Sequence, residues 1–171
     1  MKSVKRIATF LDKIVKIVAI GYLITAIYTL TNCLFKGPFF ETLEKNRFAI
    51  NFPFTQVHFL LGSEYSFEYV AEMVIGIGLY GLFFWVLSNV FKTFKQERLF
   101  TQSGLSYLKQ FYLFNLIMYP ILAIIWAFIS QEDFPFFAMI MAHAIMGIFI
   151  YFMAAIFKQG VNLQDEQDLY I

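Results

Sequence analysis

The stretch that decides the fold is FKTFKQERLFTQSGLSYLKQ, residues 91–110, a short basic segment between two long apolar runs. Its cations are Lys92, Lys95, Arg98 and Lys109. Positively charged connections of this kind stay on the cytoplasmic side of a bacterial membrane. The segment therefore predicts a hairpin of two membrane-spanning helices whose connection faces the cytoplasm.

Composition places the chain in lipid. Of 171 residues, 60% are apolar and only 15% are charged, whereas soluble domains average roughly 45–50% and about 25%. The net charge is +1 and the bases cluster beside apolar runs, so we expect no direct binding of nucleic acid. With one cysteine, Cys33, the chain lacks the thiol pair that an internal disulfide or a membrane oxidoreductase needs.

Four apolar runs are long enough to cross a bilayer. A helix rises 1.5 Å per residue, so about 20 residues span the roughly 30 Å hydrocarbon core. Inside the third run, Pro120 predicts a kink. We expect an all-α membrane protein, an antiparallel bundle of four transmembrane helices. The helices are predicted over about residues 14–35, 69–91, 111–129 and 134–157.

The first run has a second interpretation as a cleaved signal peptide, because it ends near Leu30-Thr31-Asn32-Cys33. Signal peptidases require small residues just before the cut, and Thr31 and Asn32 stand there instead. We therefore favour a helix that is retained.

Residues 36–68 form a polar and aromatic connection with alternating apolar positions around 48–54 and 57–61. Alternation with a period of two is typical of strands, and Pro53 restricts any strand there to a sheet edge. The connection is either a small β-hairpin or an amphipathic lid on the extracytoplasmic side. It either shields the helix ends or binds a ligand or partner.

The distribution of charge predicts the orientation. Of the 13 Lys and Arg residues, three fall on the predicted outer side, namely Lys36, Lys45 and Arg47. Because Lys and Arg are retained on the cytoplasmic side, we place both termini, the 92–110 hairpin and the 158–171 tail in the cytoplasm. The predicted location is the bacterial cytoplasmic membrane, with several passes.

Glu72, His143 and Asn115 are the polar side chains that the apolar runs are expected to bury. Ionisable groups inside a membrane are costly and are functional candidates by default. A direct or water-bridged contact between Glu72 and His143 would form a proton-coupled or ligand-sensing site in the outer leaflet. The alternatives are a structural role for this pair and an interhelical hydrogen bond for Asn115. The 14–35 run holds no carboxylate, which disfavours a four-helix drug exporter.

Catalytic motifs are absent from the sequence. It contains no H-E-x-x-H, no G-x-S-x-G and no P-loop. Its two histidines, His58 and His143, lie in different segments without the spacing of metal ligands. We therefore expect neither an enzyme, nor a metal site, nor a cofactor.

The hairpin and the tail are the candidates for protein binding. Thr101 suits a helix N-cap, and Gly160 predicts the end of the last helix. The acidic tail from Val161 to Ile171 is expected either to fold back on the basic hairpin or to remain a solvated segment. The candidate partner-binding residues are Lys92, Lys95, Arg98, Phe100, Thr101, Lys109, Glu166, Asp168 and Leu169.

Several short motifs resemble a known family. They are Val90-Phe91-Lys92-Thr93, Phe100-Thr101, Ile156-Phe157-Lys158-Gln159-Gly160-Val161 and Glu166-Gln167-Asp168-Leu169-Tyr170-Ile171. Over nearly the whole chain the sequence resembles the bacterial four-helix membrane proteins called domain of unknown function 2975. Leu99 and Tyr170 depart from the proline and threonine usual there. The resemblance implies unknown activity and, often, a neighbouring gene for a Cro/CI-type helix-turn-helix regulator.

Two functional hypotheses follow from the sequence. The first is a non-enzymatic regulatory or interaction protein whose cytoplasmic hairpin and tail modulate a DNA-binding regulator. The second is a small-molecule or proton-coupled transporter or sensor that uses Glu72 and His143. The lipid bilayer is the environment in both hypotheses, and a homo-oligomer is compatible with either.

Overall fold

A computed structural model describes residues 2–130 and 134–168, without the side chains of Ile129 and Asp168. This part of the chain is mostly helical, and four of its helices are long and apolar enough to cross a membrane. A small three-stranded sheet lies between the first two helices. The elements are α1 (Lys2–Phe35), β1 (Phe40–Thr42), β2 (Phe48–Asn51), β3 (His58–Gly62), α2 (Phe67–Lys95), α3 (Gln102–Leu113), a π-helical turn (Phe114–Met118), α4 (Tyr119–Ile129) and α5 (Phe136–Asp168).

Neighbouring helices approach closely at small residues, and α1 runs antiparallel to α2 because Asp12 near its start pairs with Lys95 at the end of α2. Leu23 in the later part of α1 packs on Gly81 in the middle of α2, where an added Cβ would lie 2.9 Å from the leucine side chain. Leu116 packs on Gly147 of α5 in the same way, at 2.6 Å. Small residues at such crossings are the usual device of membrane helices, which associate by van der Waals packing.

The bundle has a three-helix core with α1 at its edge. The largest buried cluster joins α2, the α3–α4 helix and α5. In contrast, α1 packs along α2 and has little contact with the other helices. Large apolar side chains such as Ile17 and Phe149 are more than 60% exposed. A surface of this kind is unstable in water and favourable against lipid chains.

Helix boundaries differ from the sequence prediction because apolar runs mark only the part of a helix that suits lipid. α1 begins at Lys2 rather than near residue 14, so it includes Asp12, and the first helix does carry a carboxylate. α5 continues through Gly160 to Asp168, so the predicted helix end there is wrong. Gly160 instead allows the Phe100 ring to approach α5 closely.

Pro120 is preceded by a π-helical turn that joins α3 to α4. A proline has no N–H to donate to the carbonyl four residues earlier. The chain accommodates this loss in the wider turn at Phe114–Met118, and the helix resumes at Tyr119. Such turns inside α-helices are often found at functional positions.

The predicted hairpin is confirmed, and it has an additional strand. β2 pairs antiparallel with β3 on one side and with β1 on the other. β2 ends at Asn51, and the turn that follows contains Pro53 and Phe54, whose φ of 62° is in the left-handed region. The proline cannot donate to a ladder, so the strand stops before it.

The sheet packs against the adjoining ends of α1 and α2. Phe48 and Ile50 of β2 are fully buried and cluster with Cys33 of α1 and Val70 of α2. Gly62 faces Phe48, and an added Cβ would lie 1.9 Å from that ring. The hairpin and the lid are therefore one structure, a sheet whose apolar residues cover the helix ends.

Candidate functional sites

The basic end of the bundle is the end where α1 and α3 begin and where α2 and α5 finish. At its centre, α2 and α3 touch through Thr93 and Gly104. The Thr93 Oγ1 hydroxyl donates to the Gly104 carbonyl at 3.4 Å, and an added Cβ on Gly104 would lie 2.8 Å from the Thr93 methyl group. Because Gly104 has no side chain, the Thr93 side chain of α2 packs directly against the backbone of α3.

Phe100 fixes the loop between α2 and α3 to α5. Its ring lies over Gly160, where an added Cβ would be 2.4 Å from the ring, and 5.2 Å from the ring centroid of Phe157 in an edge-to-face arrangement. We call the five residues Thr93, Phe100, Gly104, Phe157 and Gly160 the junction. The junction ties three helices together at the basic end.

Thr101 forms the predicted N-cap of α3. Its hydroxyl oxygen accepts a hydrogen bond from the Gly104 N–H at 3.1 Å and the hydroxyl donates to the Gln96 side-chain carbonyl. The cap satisfies one of the free N–H groups of the first helical turn. Thr101 thereby fixes the start of α3 next to the junction.

Two of the predicted partner-binding cations have partners inside the fold. Lys92 donates to Asn89 at 2.7 Å and lies over the Tyr107 ring. Lys95 forms an ion pair with Asp12, whose side chain is buried. Their charged groups are thus engaged within the fold.

The remaining charged candidates are at the surface of the basic end. Arg98, Lys109 and Glu166 are exposed. The Asp168 side chain and Leu169 lie outside the described residues. The tail predicted to fold back or to be a solvated segment from Val161 onward instead continues α5 as a helix to Asp168.

Sequence reasoning missed Asp12. It lies one heptad before Ala19, which is one heptad before Ala26, and all three are buried on the α1 face that meets α2. A heptad of small residues marks a contact face, so this spacing was a usable signal. The same spacing puts Asp12 on this face, where its carboxylate meets Lys95 at the end of α2.

Asn115 and His143 meet in the core, between the π-helical turn and α5. Their side chains are joined by a 2.7 Å hydrogen bond between Asn115 Oδ1 and His143 Nδ1, and the Asn115 amide donates to the Phe111 carbonyl at 2.8 Å. The His143 ring stacks on Tyr119 with centroids 3.4 Å apart. Asn115 is fully buried and His143 is 4% exposed. This group holds α5 against the α3–α4 helix.

The Tyr119 hydroxyl is buried and has no hydrogen-bond partner among the described residues. The imidazole of His143 is also enclosed by aromatic rings, including Phe83 at 5.2 Å between centroids. The hydrogen bond to Asn115 and the stacking on Tyr119 therefore explain the burial of His143 as part of the packing of the bundle.

Glu72 lies apart from this group. Trp126 Nε1 and Ser130 Oγ both donate to its Oε1. Neither residue of the predicted Glu72 and His143 pair is bonded to the other in the described part of the chain. The structure thus brings Asn115 to His143 and gives Glu72 different partners.

Metal binding has no support from side-chain geometry in residues 2–130 and 134–168. Within them, no three His, Cys, Asp or Glu side chains converge. The nearest approach to a ligand set is the pair of His58 and Glu41 on the sheet, which are 4.0 Å apart, and two ligands are too few for a protein metal site.

The sequence matches, over residues 54–171, the family described as Protein of unknown function (DUF2975). The chain belongs to the DUF2975 family. No curated protein and no solved structure matches it.

The DUF2975 match begins at Phe54, so it covers less of the chain than the resemblance expected from the motifs. It contains β3 and the three helices of the core, whereas α1, β1 and β2 precede it. This division agrees with the packing, in which α1 lies at the edge of the bundle.

Three of the four short motifs that carry the DUF2975 resemblance meet in space. Thr93, Phe100 and Gly160 come from three separate motifs and all belong to the junction. Each of the two glycines in the junction sits where a side chain would collide with a neighbouring helix or loop. Packing at the basic end therefore accounts for these three motifs.

Proposed function

We propose that this DUF2975 protein is a non-enzymatic interaction protein of the bacterial cytoplasmic membrane. In this proposal it docks a cytosolic protein on the basic end of its bundle. The observation that carries the proposal is the continuation of α5 beyond the junction, which projects exposed Asp165 and Glu166 from a rigid base. A docking surface that is ordered before binding avoids part of the entropic cost of association.

The orientation follows from the positive-inside rule. The described start of α1, the α2–α3 hairpin and the end of α5 all lie at the basic end, whereas Lys36, Lys45 and Arg47 lie at the sheet end. Retention of Lys and Arg in the cytoplasm favours a cytoplasmic basic end and an outer sheet.

The proposed partner is a small helix-turn-helix regulator, as the family resemblance suggests. Such proteins carry a cationic surface for DNA phosphates. The carboxylates of Asp165 and Glu166 on one helix end offer complementary charge to that surface. A regulator held in this way would have its DNA-binding face covered, so docking would compete with DNA.

The test uses the full chain, purified through an N-terminal tag in mild detergent together with a co-expressed regulator from a neighbouring gene. Asp165→Lys with Glu166→Lys should lower recovery of the regulator at least about tenfold, because two attractive charges become repulsive. The matched control is Glu64→Lys with Glu68→Lys, which reverses two exposed acids at the sheet end. Recovery that is unchanged by the first pair, or reduced equally by both pairs, would overturn the proposal.

A second variant tests the need for a rigid base. Phe100→Ala removes the ring that joins the loop to α5 and should weaken docking without changing any charge. Added DNA carrying the regulator's operator should displace the regulator from the wild-type protein.

The transporter or sensor hypothesis requires Glu72 and His143 to act together. Glu72 is held by Trp126 and Ser130, and His143 by Asn115 and Tyr119. These separate partners give the pair no support as one unit.

A further inference from the structure

A cleft at the sheet end lies between α2, α4 and the start of α5. Its volume is about 250 Å³, below the roughly 300–1,000 Å³ of pockets for drug-sized ligands. It therefore has room for a small ligand only. The side chains that line it are mostly aromatic or apolar, and its polar groups are one carboxylate and two hydroxyls, from Ser63 and Tyr69: Tyr69, Glu72, Met73, Trp126, Phe134 and Ser63.

The carboxylate of Glu72 is held in place from one side. Both of its hydrogen bonds, from Trp126 and Ser130, end on Oε1. In the described part of the chain, Oε2 accepts no hydrogen bond. The residue is half-buried, so the cleft presents an oriented negative charge with one free oxygen.

Gly76 allows this arrangement. The Trp126 ring lies directly on it, and an added Cβ would be 2.7 Å from the indole. Gly76 is one helical turn after Glu72, so the indole that covers the glycine also reaches the carboxylate with its N–H. The contact between Gly76 of α2 and Trp126 of α4 thus positions both an aromatic side of the cleft and the Glu72 carboxylate.

We propose that this cleft binds the ammonium group of a small organic cation of about the size of choline. Aromatic faces attract such cations through the ring quadrupole, and Glu72 supplies the opposite charge. An anion is excluded by the same charge. Mg²⁺ and Ca²⁺ require about six to eight oxygen ligands, which the aromatic lining does not provide.

The ammonium group has two sources with the same chemistry. One is a free cation such as choline, and the other is the headgroup of a phosphatidylcholine or phosphatidylethanolamine lipid. This inference concerns the end opposite the docking surface, so it stands or falls separately from the proposed function.

Intrinsic fluorescence gives a direct readout, because the chain has two tryptophans and one of them lines the cleft. In a Trp85→Phe background, Trp126 is the single indole. Choline chloride is titrated into the full-length protein in maltoside detergent, which contains no ammonium group. We expect a saturable change in emission with a Kd of roughly 10 µM to 1 mM. The uncharged isostere 3,3-dimethyl-1-butanol should bind at least about tenfold more weakly.

Two substitutions separate charge from packing. Glu72→Gln keeps an oxygen for Trp126 and Ser130 but removes the charge, and it should weaken choline binding about tenfold or more. Glu68→Gln is the matched control, since Glu68 is exposed one turn earlier on α2 and should leave binding unchanged. Phe134→Leu should weaken binding several-fold through loss of a cation–π wall. Monodisperse elution of each variant confirms that it is folded.

Nanodiscs distinguish the two sources. If lipid headgroups occupy the cleft, Trp126 emission differs between phosphatidylethanolamine and phosphatidylglycerol discs, and Glu72→Gln abolishes the difference. If free cations occupy it, choline titrates equally in both discs. The inference is overturned if choline produces no saturable change in detergent or in phosphatidylglycerol discs. Equal binding of the neutral isostere, or equal loss in Glu72→Gln and Glu68→Gln, also overturns it.

Discussion

Replacing Gly160 by alanine should destabilise the bundle, although alanine is the better helix former. Gly160 lies within α5 and has the Phe100 ring directly above it, with an added Cβ only 2.4 Å from the ring. No carbon atom is accommodated at that distance, so the ring or α5 must move. The ring is also held by Phe157, which limits where it can go.

The expected size follows from two opposing terms. Glycine to alanine inside a helix gains about 0.5–1 kcal/mol. Overpacking a filled contact costs about 1–3 kcal/mol. The net effect is a loss of roughly 1 kcal/mol, with an upper bound of about 2.5 kcal/mol, in the free energy of unfolding, measured by thermal or denaturant unfolding in mild detergent.

Gly21→Ala is the control, because nothing lies within 4 Å of the position of its missing Cβ. It should leave the stability unchanged or raise it by up to about 1 kcal/mol. In a Phe100→Ala background the obstacle is gone, so Gly160→Ala should then become neutral or stabilising. Equal effects of Gly160→Ala with and without Phe100 would refute the reasoning about the junction.

Three further predictions concern buried polar groups and the sheet. Lys95→Met should lower the free energy of unfolding by about 1–3 kcal/mol, because it leaves the buried Asp12 carboxylate without its partner. Adding Asp12→Asn removes the unpaired charge and should recover at least half of that loss in the same unfolding assay. Asn115→Ala should cost about 1–2 kcal/mol in thermal unfolding, since His143 loses its hydrogen bond. Cys33, 2% exposed beneath the sheet, should react with N-ethylmaleimide only on unfolding, and prompt labelling of the native protein would contradict the sheet packing.

The four long apolar helices and the hairpin were predictable because each depends on local composition. Long apolar runs predict spans, and alternation around Phe48 and Leu61 predicts strands. Helix ends were not predictable in this way. At Gly160 a glycine typical of a helix end serves a tertiary contact instead, and sequence alone does not separate these two uses.

The polar sites show the same limit. Asn115 and His143 are both identifiable from the sequence as costly to bury, but the sequence does not determine which polar group His143 contacts. The actual partners depend on the rotation of α4 and α5, which places Asn115 against His143 and Trp126 against Glu72. Asp12 was overlooked because it precedes the apolar run, although the heptad to Ala19 and Ala26 marks its face.

The side-specific accessibility of single cysteines tests most directly the claim that the bundle spans the membrane with its basic end inside. In a Cys33→Ala background, exposed Glu68 at the sheet end and exposed Lys109 at the basic end are each changed to cysteine. A membrane-impermeant maleimide should label Glu68→Cys in intact cells and Lys109→Cys only after permeabilisation. Labelling of both from one side, or the reverse order, would contradict the account.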